Sequence, residues 1–284
     1  MTTQNVTVVG AGVMGRGIAY VSALAGFQTT LVDVSEDQLK SAYEYAEKTS
    51  QKGVDRGKLT EEERESLLHH LHTSTDLVEA AKSTDFVIEA VPEKRDLKKN
   101  VLETVATHAR EDVIITSNTS TISPTELGSF TNNGERFAVM HFFNPVHRMK
   151  LVEIVRGLQT TDETVAIVKE VSEKMGKETV EVNEFPGFVT SRISALVGNE
   201  AFHMLQEGVA SAEDIDKAIK LGLNYPMGPL ELADLVGLDA RLNNLKYLHE
   251  KLGEKYRPAP ILEQLVKAGR LGRKTNHGVY KYED

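Results

Sequence analysis

Asn5-Val6-Thr7-Val8-Val9-Gly10-Ala11-Gly12-Val13-Met14-Gly15 is the stretch that decides the fold. A β-branched run ends at glycine, as a buried parallel strand does, and apolar residues from Met14 to Leu24 then recur at helical spacing. A second strand reads at Thr29 to Asp33, which makes the opening unit strand, glycine turn, helix, strand. Downstream of Asp33, charged helical stretches at Asp37 to Lys52 and Thr60 to His70, broken by Gly53 and Gly57, predict an inserted helical hairpin. Strand patterns return at Asp85–Ala90, Val113–Asn118, Phe137–Phe142, Leu151–Val155 and Glu178–Val182, with helical segments between most of them. Alternation of this kind predicts an α/β, mostly parallel, doubly wound sheet.

Past Asn183-Glu184-Phe185-Pro186-Gly187 strand signals nearly vanish. Phe188 to Gln206 reads as one long apolar helix, Ser211 opens another, and Pro229 suits the first turn of a third. The expected domains are residues 1–185, a Rossmann-type nucleotide-binding domain, and residues 186–284, an all-helical domain. Ile193, Leu196, Val197 and Phe202 give the long helix a face wide enough for both a core and a partner subunit, so a homodimer is expected.

Composition narrows the partners. Among 284 residues, 33 Lys+Arg against 42 Asp+Glu give a net charge of −9, which argues against nucleic acid or a membrane surface as a partner. The absence of cysteine excludes disulfides, thiolate nucleophiles and Cys-ligated metal, and fits a reducing cytoplasm. The first residues, Met1 to Asn5, lack the basic region and cleavage site of a signal peptide, and the charge-free run Gly17 to Val32 is too polar to span a bilayer. A soluble chain is the expectation.

Gly10, Gly12 and Gly15 form a G-x-G-x-x-G that follows a strand and opens a helix, with Asp33 eighteen residues beyond the last glycine. Gly10 makes the tight turn, Gly12 lets a pyrophosphate approach, and Gly15 lets helix and strand pack closely. The helix N-terminus, with Val13 and Met14, supplies amide donors for a diphosphate. Asp33 would accept from adenosine ribose hydroxyls and repel a 2′-phosphate, so the expected cofactor is NAD rather than NADP.

Glu153 stands among Leu151, Val152, Ile154 and Val155, where a carboxylate needs a partner if buried. His141, twelve residues earlier at a strand end, is the natural one. Such a pair suits alcohol oxidation: imidazole takes the hydroxyl proton as hydride leaves, and the carboxylate orients the ring. Ser117-Asn118-Thr119-Ser120-Thr121 puts an amide and hydroxyls at a strand's carboxyl end, where open sheets bind ligands, although an ordinary polar turn would read alike. His147, beside Arg148, Met149 and Lys150, is a rival base on what reads as an exposed turn. His69-His70-Leu71-His72 lacks a second ligand cluster, and no metal site is expected.

The set GAGVMG, EAVPE, SNTS, HFFNP, LVEIVRG, PGFVTSR, YPMGPLELADLVGLD and GRKTNHGVYKY, in order from Val6 to Tyr282, resembles the L-3-hydroxyacyl-CoA dehydrogenase family, most closely its bacterial short-chain branch. The resemblance implies reversible NAD-dependent oxidation of a short-chain (S)-3-hydroxyacyl-CoA, 3-hydroxybutyryl-CoA foremost, and a helical domain that dimerises and shapes the substrate cleft. By position, His141 resembles the family's acid/base, Glu153 its orienting carboxylate and Ser120 the serine on the reacting oxygen. Asn118, Asn144, Glu93, Lys98 and Lys274 resemble its cofactor contacts. Ser191 stands where the family has asparagine; its hydroxyl is shorter and lacks the amide's pair of groups. For the CoA phosphates, Lys48, Lys52, Arg56 and Lys58 partly share a face, with Lys52 and Arg56 the chosen contacts and a solvated helix face the alternative. Rival functions are a dehydrogenase of a free hydroxy acid and a non-catalytic nucleotide-binding protein on the same fold.

Overall fold

The computed structural model describes residues 3–282. The reading of Met1 and Thr2 as the start of an unsignalled chain, and the last two residues of the helical domain, lie outside the described residues. The chain forms two compact units, Met1–Glu184 and Phe185–Asp284.

In the first unit β1 (Asn5–Val9), α1 (Val13–Leu24) and β2 (Gln28–Val32) form the opening unit read from sequence. α2 (Glu36–Asp55) and α3 (Glu61–His70) follow, then β3 (Leu71–Ser74), α4 (Leu77–Lys82), β4 (Phe86–Glu89), α5 (Arg95–His108), β5 (Ile114–Ser117) and α6 (Pro124–Ser129). β6 (Phe137–Phe142), β7 (Leu151–Arg156), α7 (Asp162–Lys174) and β8 (Glu178–Asn183) close it. One eight-stranded sheet runs β3-β2-β1-β4-β5-β6-β7-β8. Every neighbouring pair is parallel except β6 and β7, which are antiparallel with His141 directly opposite Glu153.

The central strands bury both faces, so β4 and β6 carry only buried residues and read as near-continuous apolar runs. The core gathers Val6, Val8, Ile18, Leu31, Phe86, Ile88, Met140 and Ile154. Two expectations need correction. Gly53 does not break the hairpin: α2 runs through it to Asp55, and the turn falls at Gly57, where φ is +64°. The hairpin is the crossover that carries the chain from β2 to β3, a strand the sequence reading missed because only Leu71 of its four residues is buried.

The second unit is helical: α8 (Thr190–Glu207), α9 (Ala212–Gly222), α10 (Pro229–Val236), α11 (Leu238–Leu252) and α12 (Pro260–Lys267). The long helix begins at Thr190 rather than Phe188, because Phe188 takes a left-handed φ of +48° that a helix cannot continue. Asp216 accepts from the amides of Leu230 and Glu231 in the first turn of α10 and from the Tyr280 hydroxyl. Asp234 accepts from the amides of Val279 and Tyr280 and from the Tyr282 hydroxyl, fastening the C-terminal segment to α10. The core of this unit contains Phe202, Leu230, Leu238, Leu245, Leu248 and Tyr256. No helix among the described residues is long and apolar enough to cross a membrane.

Candidate active site

Because β1, β2, β4, β5 and β6 are parallel, their carboxyl ends share one edge of the sheet. The candidate residues of the first unit mostly stand there. Gly10 has φ +104°, and a Cβ on it would lie 2.8 Å from the Ala90 carbonyl oxygen. A Cβ on Gly15 would lie 1.6 Å from the Gly10 oxygen, so glycine alone permits this helix–strand contact. A Cβ on Gly12 would meet nothing within 4 Å, which leaves open space over the turn. Helices α2, α3, α4, α6, α7 and α9 each receive a side-chain cap, whereas Gly12 leaves the first-turn amides of α1 without one. Uncapped amides under open space fit a diphosphate. Asp33 accepts from the Ala11 amide at 2.7 Å and the Ser35 amide at 2.9 Å. It thus holds the glycine turn, and each oxygen keeps a lone pair for a ribose hydroxyl.

A second carboxylate organises the next strand end. Glu89 is fully buried and accepts from Val91 N at 2.7 Å, Ser117 Oγ at 2.5 Å and Lys98 Nζ at 2.8 and 3.0 Å. Lys98, 1% exposed, also reaches the Val91 carbonyl at 3.2 Å and Glu93 Oε2 at 3.2 Å. With its three donors engaged inside the fold, Lys98 is part of the scaffold that holds Glu89 and Glu93. Glu93 Oε1 in turn accepts from Thr119 Oγ1, from the amides of Ser120 and Thr121 at 3.1 Å each, and from Thr121 Oγ1 at 2.9 Å. Burial pushes the Glu93 carboxyl up, but the Lys98 ammonium and the hydroxyl donors outweigh it and hold the group below the usual carboxylate range. The loop carrying Ser120 is thereby fixed from β4. Asn118 ties it to β6, its Oδ1 accepting from the Phe142 amide at 2.9 Å.

Phe142 follows His141, whose Nδ1 lies 2.7 Å from Glu153 Oε2. Glu153 is fully buried and His141 is 8% exposed, its ring tilted against Phe143 at 4.6 Å between centroids. The antiparallel register of β6 and β7 makes the pair. Nearby Asn144 is exposed and precedes Pro145 through a cis peptide bond.

His147 is not on an open turn. It is half-buried, its Nδ1 is 2.9 Å from the Tyr45 hydroxyl, and its ring meets Tyr20 and Tyr45 edge-on. Burial, with Arg148 and Lys177 adding to it, holds its imidazole below the usual histidine range. Lys177 is itself buried and donates to the carbonyls of Val146 at 2.5 Å and Met149 at 2.9 Å, so it clamps the loop between β6 and β7.

Lys52 and Arg56 are exposed and line a cavity of about 1010 Å³ with Lys48, Lys58, Arg148 and Lys150. Glu44 is the one carboxylate among the described residues lining it. His69 and His70 meet edge-on at 5.7 Å while His72 bonds Gln28, and no group of His, Asp or Glu among the described residues is arranged to hold a metal ion. In the second unit, Ser191 is the second residue of α8 and partly buried. Lys274 pairs with Asp239 at 2.6 and 2.7 Å.

Sequence reasoning missed Glu89 and the burial of Lys98. Both signals were present: Glu89 ends the apolar run Phe86-Val87-Ile88, and Lys98 shares a helix face with Leu102 and Val105, the buried stripe of α5.

Two family models cover nearly the whole chain. The 3-hydroxyacyl-CoA dehydrogenase NAD binding domain matches residues 5–185, and the 3-hydroxyacyl-CoA dehydrogenase C-terminal domain matches residues 187–282. A probable 3-hydroxybutyryl-CoA dehydrogenase of Bacillus subtilis is 44% identical over 285 residues, covering 100% of this chain and 99% of its own. The mitochondrial hydroxyacyl-coenzyme A dehydrogenase of Rattus norvegicus is 39% identical, covering 99% of this chain and 91% of its own. The crystal structure of an (S)-3-hydroxybutyryl-CoA dehydrogenase from Ralstonia eutropha superposes with a TM-score of 0.96 at 44% identity, covering 100% of both chains.

Proposed function

The chain belongs to the 3-hydroxyacyl-CoA dehydrogenase family, and from that premise we propose that it interconverts short-chain (S)-3-hydroxyacyl-CoA esters, 3-hydroxybutyryl-CoA foremost, with their 3-oxoacyl counterparts. The observation that carries this reading is the buried contact of 2.7 Å between His141 Nδ1 and Glu153 beside the Ser120 loop. NAD, when bound, accepts the hydride from C3 of the substrate. With Nδ1 engaged by Glu153, Nε2 of His141 takes the hydroxyl proton, and Glu153 orients the ring and stabilises the imidazolium. In the reverse direction the same nitrogen returns the proton. Ser120 donates to the reacting oxygen from a loop that Glu93 and Asn118 hold still.

Gly10, Gly12, Val13, Met14 and Gly15 hold the diphosphate, Asp33 and Glu93 accept from ribose hydroxyls, Asn144 holds the cofactor's carboxamide region, and Asn118 and Lys274 are further cofactor contacts. Lys98 acts on the ribose through Glu93. Ser191 contacts substrate through its single hydroxyl. Lys52 and Arg56 pair with CoA phosphates, a role the basic lining of their cavity supports. The exposed Ile193, Leu235 and Val236 of the second unit support assembly as a homodimer, and we place the enzyme in the cytoplasm.

NADH consumption with acetoacetyl-CoA, longer 3-oxoacyl-CoA esters and free acetoacetate, each repeated with NADPH, tests the reading. Turnover of the thioester and not of the free acid, with NADH preferred, is the expected result. Turnover of the free acid alone, or tight NADH binding with no turnover, would reject it.

A further inference from the structure

The loop between β6 and β7, residues 143–150, carries a histidine that the proposed chemistry does not use. Val146 anchors the loop to α1: it is 1% exposed, and a Cβ at Gly17 would lie 3.0 Å from its side chain. Lys177 anchors it from below through the carbonyls of Val146 and Met149. His147 ties the same loop to the inserted hairpin, its Nδ1 lying 2.9 Å from the hydroxyl of Tyr45 on α2. Tyr45 is itself fixed by α1. The buried Tyr20 meets it edge-on at 6.3 Å between centroids, and Arg16 lies over its ring at 4.7 Å.

This tie joins the two walls of the basic cavity, which Tyr45 and His147 also line. Lys48, Lys52, Arg56 and Lys58 stand on the hairpin wall, and Arg148, Lys150 and Lys177 on the loop side. Cations facing one another across a cavity repel when no anion lies between them. Glu44 does little to offset this, since it pairs with Lys48 of its own helix at 3.4 Å. A tie between such walls does best without a charge of its own. Burial, with Arg148 and Lys177, holds His147 below the usual histidine range, and burial pushes the Tyr45 phenol up, so both partners are uncharged at neutral pH. A ligand whose phosphates reach both walls binds more tightly when their spacing is set beforehand, because less of the binding free energy is lost in ordering them.

We propose that Tyr45 and His147 are positioning residues for the nucleotide end of the substrate. Their hydrogen bond holds the hairpin and loop walls at the spacing that a polyphosphate bridges. The enzyme thereby discriminates CoA esters from thioesters of shorter carriers that lack the phosphates. This inference rests on the proposed pairing of Lys52 and Arg56 with CoA phosphates.

The test compares acetoacetyl-CoA with acetoacetyl-N-acetylcysteamine, which keeps the reacting thioester and lacks the nucleotide, by NADH consumption on the full chain at low ionic strength. The readout is the ratio of kcat/KM for the CoA ester to that for the truncated one. Tyr45→Phe, which removes the hydroxyl and keeps the ring, should lower this ratio about threefold to tenfold, the scale of one hydrogen bond. The loss should fall on KM for acetoacetyl-CoA rather than on kcat. His147→Ala should lower the ratio likewise, and the two losses should not add in the double variant, since both break the same bond. A ratio unmoved in Tyr45→Phe, equal losses on both substrates, or losses that add overturns the inference. Should His147→Ala fail to fold, Tyr45→Phe decides. Lys52→Ala and Arg56→Ala separate the inference from the reading beneath it. If they lower the ratio and Tyr45→Phe does not, only the inference falls. If neither moves it, the phosphate reading falls and the inference with it.

Discussion

Glu89 and Glu153 are both carboxylates with no exposed surface, each on a strand of the same sheet, yet they are neutralised differently. Glu89 is held by a lysine, a backbone amide and a serine hydroxyl, all of which stay where they are. Glu153 faces an imidazole. A permanent cation makes a buried carboxylate part of the scaffold, whereas an imidazole partner can exchange its proton and make the same group part of the chemistry. The contrast assigns Glu89 and Lys98 to holding the Ser120 loop, and Glu153 to whatever His141 does.

The largest effect should come from the exchanging pair. His141→Ala should lower turnover about 10²- to 10⁴-fold, while NADH binding followed by fluorescence stays nearly intact. If turnover survives and His147→Ala removes it instead, the comparison has been drawn at the wrong histidine. In the scaffold pair, Lys98→Met leaves the buried Glu89 without its cation, and chemical denaturation should report a loss of about 3–5 kcal/mol. A loss confined to activity, at unchanged stability, would erase the distinction. Glu153→Gln should cut kcat by about a hundredfold and leave the substrate KM much closer to wild type. Smallest are the exposed charges: Lys52→Ala or Arg56→Ala should raise KM for the acyl-CoA a few-fold at low ionic strength, an effect that fades with added salt. A salt-independent change would mean these residues touch something other than phosphate.

The same contrast explains what could be read in advance. The opening strand, turn and helix depend on local chemistry, and the structure has them within a residue of their expected ends. The His141–Glu153 contact was legible because a carboxylate among Leu, Val and Ile demands a partner. Glu89 made the same demand at the end of Phe86-Val87-Ile88, but its partner is a lysine in a run of charges, Glu93 to Lys99, where only helical periodicity separates the buried Lys98 from its exposed neighbours. β3 was invisible for another reason. A four-residue edge strand with one buried side chain has too little periodicity to register, and its pairing with β2 is a tertiary fact.

The register that sets His141 across from Glu153 also fixes how long that contact lasts. Glu153 is paired on both sides, to β6 and to β8, and His141 is paired to β7 two residues beyond the end of the β5 ladder at Val139, so the contact cannot part without unzipping the β6–β7 ladder. Openings of loops and termini, which cost little, would leave the contact untouched; only the rare events that dismantle the sheet would break it. Amide exchange at Met140 and Ile154 should accordingly be among the slowest in the chain. The dyad is then a fixture of the slowest-exchanging part of the fold, and the Ser120 loop is tied to the same strand through Asn118 and the Phe142 amide.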